Sequence, residues 1–319
     1  MINLQKPQSN IIALLRNRVQ RARSGLRRLN ENWRLFSRHP LGILGGGLIL
    51  LFALMAISHP LLMKTVWQRG TYDPIVGFDE KQMPHPNLPN AQHLLGTDNF
   101  GHDVLSQLLS ASQISFRVGI LAAIIAVSIS TVMGGAAGYF GGVLDAILMG
   151  LADVFILLPA PVVLLIFGLL LRMEWSVVAV LYGILTGLGA QAIVVKSQTL
   201  TLKHHHYIEA ARIAGGSRWH IFRKHVLPGL LPITIVHAVF TVVGAVLTES
   251  LLAFFGRTQH YLSWGTMIWM GQETFRWFSL RGQWHAILPP ALAIMSFCSA
   301  FYFVGRALDE VFNPRLRQM

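Results

Sequence analysis

The sequence predicts an all-α, polytopic membrane protein with six transmembrane helices. Three observations carry that prediction. Hydrophobic residues make up 53% of the 319 positions and charged residues only 13%, where soluble domains average roughly a quarter charged; mean hydropathy is +0.51. The apolar residues gather into six runs, each near the roughly 20 residues that cross a bilayer. The cations lie between some of these runs and not others.

The chain opens with a basic tail, residues 1–40, carrying nine Lys or Arg before the first apolar run. No short apolar segment with a small-residue cleavage site precedes that run, so a retained first span is expected. That span is Leu41–Met63. A loop, 64–115, follows, with Pro74, Pro84, Pro86 and Pro89. Loops of this length are usually functional or disordered; a docking surface and a packed cap over the spans are both open for it. The second span is placed at Phe116–Tyr139. The third, Ile147–Leu171, contains Asp153, Pro159 and Pro161, and a bare Arg172–Glu174 hinge joins it to the fourth, Trp175–Val195. The fifth is Ile233–Phe255 and the sixth Ala286–Val304. Helices are expected because lipid satisfies no backbone N–H or C=O. The glycines of 134–142 and 183–189 suit close helix packing.

Orientation follows from Lys and Arg. Residues 1–40, 196–225 and the C-terminal tail together hold eighteen of the twenty-six cations, whereas 64–115 has three cations and five acids. Both termini and segment 196–225 are therefore expected in the cytoplasm, with 64–115 and 256–285 outside. The formal net charge of +12 is on this account a topology signal, and no nucleic-acid partner is expected.

Several chemistries lack their residues. No G-x-x-x-x-G-K-[ST] occurs, so nothing cradles a nucleotide phosphate, and H-E-x-x-H and G-x-S-x-G are absent. The single cysteine, Cys298, excludes a disulfide framework and a thiolate cluster. The run His204–His206 does not converge on one ion, because consecutive helix residues point about 100° apart; His205 and Glu209, four apart, share a face. The chain is expected to be no enzyme and to hold no metal. Asp145, Asp153 and Glu249 are carboxylates in or near spans, and intramembrane ionisable groups are candidates for a pore or an interface. Asp153 and Glu249 lie toward opposite ends of their spans, which does not suit a proton relay.

Residues 207–232, YIEAARIAGGSRWHIFRKHVLPGLLP, interrupt this apolar pattern. Helical spacing predicts a helix over 197–214. Gly215-Gly216 stops it, Ser217 caps a second short helix, and Pro228 and Pro232 mark entry to the fifth span. The product is a compact basic helical hairpin. It is either a handle gripped by a soluble partner or an ordinary interfacial loop.

Glu209-Ala210-Ala211, Gly215 three residues on, and Leu227-Pro228 resemble the EAA loop of bacterial ABC importer permeases. His225 stands where the general pattern has Ile, as in the peptide-importer branch. Residues 93–106, HLLGTDNFGHDVLS, resemble that branch's H-P-L-G-T-D-x-x-G-R-D-V-L-S. Gly141-Gly142 with Asp145, Leu148-Met149, Asp153 and Pro159 resembles G-G-x-x-D-x-x-L-M-R-x-x-D…P. Ser263-Trp264-Gly265 resembles P-S-W-G, and Asn313–Arg317 the terminal D-P-R-L-R. Tyr72-Asp73-Pro74 fits as well. Together these cover the chain from about residue 30 onward and resemble the C-type permeases of dipeptide and oligopeptide importers. The departures are His102 and Gln107 for Arg, Gly150 for the Arg after Leu-Met, and Arg257-Thr258-Gln259 within the usual G-L-G.

The resemblance implies a type I ABC importer permease fold, with a core permease domain over 116–306, an EAA coupling loop at about 197–232 and a cytoplasmic tail at 307–319. It implies a bacterial inner-membrane location and alternating access. The implied partners are a second permease, two ATPases that bind ATP and Mg, and an extracytoplasmic substrate-binding protein. Carried onto this chain, Glu209, Ala210, Ala211, Arg212, Gly215, Arg218, Leu227 and Pro228 form the ATPase contact, and Thr97, Asp98, Gly101, Asp103, Trp264 and Gly265 are candidates for binding-protein docking. Peptides are the implied cargo. A nickel importer of the same branch, a secondary transporter and a non-transporting scaffold are the alternatives.

Overall fold

A computed structural model describes residues 34–258, 260–275 and 284–312. Most of the basic N-terminal tail, the Asn313–Arg317 motif and Gln259 lie outside the described residues. The fold is helical, with no strand among the described residues beyond one bridge between Thr97 and Asp103.

Helix α1 (Pro40–Thr65) starts with Pro40 in its first turn, where the missing N–H costs nothing. Helix α2 (Val104–Phe140) is capped by Asp103, whose carboxylate accepts from the Ser106 N–H at 2.6 Å. It has 37 residues, about 55 Å of helix, so it projects well beyond a hydrocarbon core about 30 Å thick. The loop after α1 therefore ends at Asp103, twelve residues before the expected boundary at residue 115. Gly141, at φ +68°, stops α2.

The expected third span is two helices, α3 (Gly142–Ile156) and α4 (Ala160–Leu170), bent by 73°. Pro159 causes the break: it has no N–H to continue the ladder and sits extended at the N-cap of α4. The fourth is also a pair, α5 (Trp175–Leu188) and α6 (Ala190–Leu202), bent by 42° at Gly189. By length and composition four helices are able to cross a membrane, or six spans if each bent pair counts as one.

The expected single helix over 197–214 is divided. α6 ends at Leu202, a turn fills 203–205, and α7 (His206–Ile213) begins afresh. The second hairpin helix is not separate from the fifth span. α8 (Arg218–Ile221) passes through a π-helical turn, Phe222–Val226, straight into α9 (Leu227–Phe254). The segment expected to be an outer loop, 256–285, carries α10 (Trp264–Phe275), and α11 (Trp284–Phe312) forms the last span.

Glycine sets the closest packing, as the sequence suggested. A Cβ on Gly183 would lie 2.8 Å from the Ala122 carbonyl oxygen, and one on Gly187 2.8 Å from that of Ala126. Gly134 and Gly138 press α2 against α6 in the same way. Lipid supplies little hydrophobic drive between helices, so close van der Waals fit of this kind holds them together. At one end, Phe52, Trp264 and Phe297 meet edge to face with centroids 5.3–5.4 Å apart, joining α1, α10 and α11. At the other end, Tyr139, Ile208, Ile221, Phe222 and Leu230 form a separate cluster. The first end carries the cap built from 66–103 and the second carries the hairpin. α2, α9 and α11 run between them.

Candidate functional site

The hairpin has a fixed base and an open tip. At the tip, α7 ends in a glycine cap. Gly215, at φ +79°, donates to the Arg212 carbonyl at 3.1 Å, and the Gly216 N–H donates to the Ala211 carbonyl at 3.1 Å. This pairs carbonyls that the helix end leaves open. A Cβ on Gly215 would touch nothing within 4 Å, so the position demands glycine for its backbone angle. Ser217 then accepts from the His220 N–H at 3.3 Å and starts α8, as its sequence position predicted. Glu209, Ala210, Arg212, Ala214 and Gly215 are exposed, Ala211 is half-buried, and Ile213 is 88% exposed.

The base is aromatic. Ile208 is fully buried, and Ile221 and Phe222 nearly so. Phe222 stacks on Tyr139 at 5.8 Å, and Trp219 on Phe140 at 6.3 Å. Arg218, carried over as part of the ATPase contact, is exposed; it donates to the Phe140 carbonyl at 3.2 Å and lies over the Phe140 ring, closing the C-terminus of α2. Lys203 donates to the Gly138 carbonyl at 3.5 Å. Asp145, a candidate pore residue, is paired with Lys196 at 2.6 Å and ties the start of α3 to α6. Leu227 is half-buried and Pro228 exposed at the entry to α9. The aromatic base was not foreseen; its only sequence signal is Trp219 and Phe222 three residues apart, facing Tyr139-Phe140 from eighty residues away. Above it, Trp219, His220, Arg223 and Lys224 line a recess of about 500 Å³ beside Ser217.

At the opposite end, the six residues expected to dock a binding protein, Thr97, Asp98, Gly101, Asp103, Trp264 and Gly265, are all buried. The first four lie inside the cap and the last two in α10. Thr97 takes the His285 ring N–H on its carbonyl at 3.0 Å, and its hydroxyl accepts from the Asn87 N–H at 2.9 Å. Trp264 donates its indole N–H to the Leu108 carbonyl at 3.1 Å. A Cβ on Gly265 would sit 2.6 Å from that of Ala253, so α10 packs on α9 only through glycine. His93, fully buried, bridges Asp103 at 2.8 Å and Asp79 at 3.2 Å; sequence reasoning quoted His93 in a motif and missed this bridge.

Asp98 explains two departures from the family pattern. One oxygen accepts from the backbone N–H groups of Phe100 and His102 at 2.9 and 2.8 Å; the other accepts from the His102 ring and the Gln107 amide, both at 2.9 Å. Both replacements thus converge on one carboxylate. Burial opposes the charged imidazole of His102, but the hydrogen bond and charge of Asp98 outweigh it and raise its pKa above the usual value of 6.5. Burial raises the pKa of Asp103, partly offset by His93.

Glu249, another pore candidate, is 1% exposed and accepts from the Tyr261 hydroxyl at 3.1 Å, so it fixes the loop after α9 and faces no surface. Asp153 is exposed on α3 and has no ion-pair partner among the described residues. Gly150 is exposed on the same helix. His206, not His205, approaches Glu209, at 3.8 Å, and no group of three metal-ligating side chains forms among the described residues.

The model of the binding-protein-dependent transport system inner membrane component family matches residues 130–318. That of the N-terminal transmembrane domain of oligopeptide transport permease C matches residues 28–89. The chain is 30% identical over 298 residues to the dipeptide transport system permease protein DppC of Bacillus subtilis, covering 93% of this chain and 88% of that protein. It is 29% identical to the glutathione transport system permease protein GsiD of Pectobacterium atrosepticum, covering 90% and 91%. It is 32% identical to the oligopeptide transport system permease protein OppC of Haemophilus influenzae, covering 70% and 71%. With its membrane-crossing helices and the hairpin between α6 and α9, this chain belongs to the family of binding-protein-dependent transport system inner membrane components.

Proposed function

We propose that this chain forms half of the translocation pathway of an ATP-driven peptide importer and that its hairpin transmits the motion of cytoplasmic ATPases to the spans. The observation that carries this reading is mechanical. A tip with exposed Glu209, Ala210, Arg212 and Gly215 stands on a base bonded to the end of α2 and continuous with α9. A push on the tip acts on two membrane helices without a loose joint. The chain has no phosphate-cradling motif, so ATP and Mg are bound by the partners, and the cationic recess at Trp219, Arg223 and Lys224 suits an acidic rim on an ATPase groove. Relatives named as dipeptide and oligopeptide permeases favour peptides as cargo. The concentration of cations on the hairpin side favours a cytoplasmic hairpin and termini. A second permease completes the pathway, and an extracytoplasmic binding protein delivers substrate to the cap. Since the motif residues of the cap are inside, that protein meets exposed residues such as Leu94 and Phe100.

Replacing Gly215 with Trp tests the coupling. Uptake by the reconstituted importer is lost, while membrane insertion and assembly of the chain persist. Normal uptake by the variant would show that the hairpin does not transmit the ATPase motion.

A further inference from the structure

At the cap end, the structure brings two arginines together where neither has a carboxylate partner among the described residues. Arg172 follows the last turn of α4, and Arg257 follows the last turn of α9; with His260 they line one pocket of about 270 Å³. Arg257 is held in place. Gly256, at φ +68°, donates to the Ala253 carbonyl at 2.8 Å, and the Arg257 N–H donates to that of Leu252 at 3.0 Å, the same glycine-capped helix end found at the hairpin tip. A Cβ on Gly168 would lie 3.1 Å from the Cβ of Arg257, so α4 and the Arg257 stem pack directly. A helix C-terminus favours one nearby cation. That accounts for each arginine separately and not for two sharing a recess, where like charges repel.

The pocket's surroundings select the anion. Its rim is the apolar end of α4, where Leu169, Leu170 and Leu171 are exposed, Leu170 to 75%. Phe254 and Phe255, exposed at the end of α9, form an edge-to-face pair beside it. A cationic pocket above an apolar and aromatic collar, at the ends of two membrane helices, matches a phospholipid: phosphate in the recess, acyl chains along the leucines. The planar guanidinium fork fits phosphate oxygens two at a time.

We propose that Arg172, Arg257 and His260 hold the phosphate of an anionic phospholipid in the leaflet on the cap side. Arg257 belongs to the segment that departs from the family pattern. It depends on the membrane spans and not on the cargo or the coupling role of the hairpin.

The test uses the full chain, purified with its partners and placed in nanodiscs of phosphatidylglycerol or phosphatidylcholine, with retained lipid read by native mass spectrometry after transfer to detergent. The wild type retains phosphatidylglycerol selectively, and R172Q and R257Q each weaken retention about fivefold, the effect of one cation near an anionic lipid surface. R257K, which keeps the charge and loses the two-point fork, falls between the wild type and R257Q. Equal retention of both lipids, or selectivity unchanged in R172Q and R257Q, would overturn the proposal. So would release of the retained phosphatidylglycerol by added inorganic phosphate, which would mark a soluble-anion site. Selective retention by the chain alone that vanishes in the assembled complex would mark a subunit contact, and would overturn it as well. If a variant fails to assemble, loss of wild-type selectivity at high salt, where the charge is screened, supports the proposal; undiminished selectivity there contradicts it.

Discussion

At the scale of single residues, the cap shows how polar side chains make a loop rigid. Asp98 accepts four hydrogen bonds, three of them from His102 and Gln107, the residues that depart from the family pattern. Removing its carboxylate in Asp98→Ala leaves the N–H groups of Phe100 and His102, the His102 ring and the Gln107 amide without their acceptor, at a cost of about 3 kcal/mol, measured as a fall in thermal midpoint. The pH dependence has a definite sign. His102 has a pKa raised above 6.5 in the folded chain. Its contribution is fully present below 6.5 and is lost as pH rises through the raised value. His102→Arg, charged throughout, flattens that part of the stability curve. A wild-type cap whose stability does not fall over that window would refute the pairing. These residues were legible as a motif but not as buried, because Thr, Asp, Gly and His in a Pro-rich loop read as surface until the backbone groups they pair are seen.

At the scale of elements, the central feature is the joint between hairpin and spans. Arg218 closes the end of α2, and the π-helical turn at 222–226 makes α8 and α9 one rod. Arg218→Gln removes the charge over the Phe140 ring and weakens the bond to its carbonyl. Its expected effect is loose coupling: ATP hydrolysis by the complex continues while uptake per ATP falls severalfold. Uptake and hydrolysis falling in the same proportion would instead indicate damage to assembly. The stop at Gly215 and the cap at Ser217 were legible because both follow from local backbone chemistry. The break at 203–205 was not, since no Gly or Pro marks it and the neighbouring Lys203 is held by the distant Gly138 carbonyl. Pro159 was visible inside the third span, but a proline alone does not tell a mild kink from a 73° bend. The start of α2 was placed late because its first turns, with Ser106, Gln107, Ser110 and Ser112, are too polar for a span; they are helical because the cap, not lipid, surrounds them.

At the scale of the molecule, six runs of apolar sequence and one basic hairpin were legible; four helices are able to cross a membrane by length and composition, or six spans if each bent pair counts as one. The sequence could not show that Glu249 and Asp145 are consumed by internal contacts, which leaves Asp153 as the exposed carboxylate among the three pore candidates. Contact between the hairpin tip and an ATPase decides the coupling role. Cys298 is buried and is the chain's single cysteine, so a Cys298→Ser, Ala214→Cys chain carries one exposed thiol at the tip. The measurement is oxidative cross-linking of that thiol in native membranes against single-cysteine variants of the cytoplasmic subunits, with and without ATP. A docked tip gives a cross-link to a P-loop ATPase whose yield changes when ATP binds. A tip thiol that reacts freely with a soluble reagent in the assembled complex, yet forms no ATPase cross-link in either state, would contradict it.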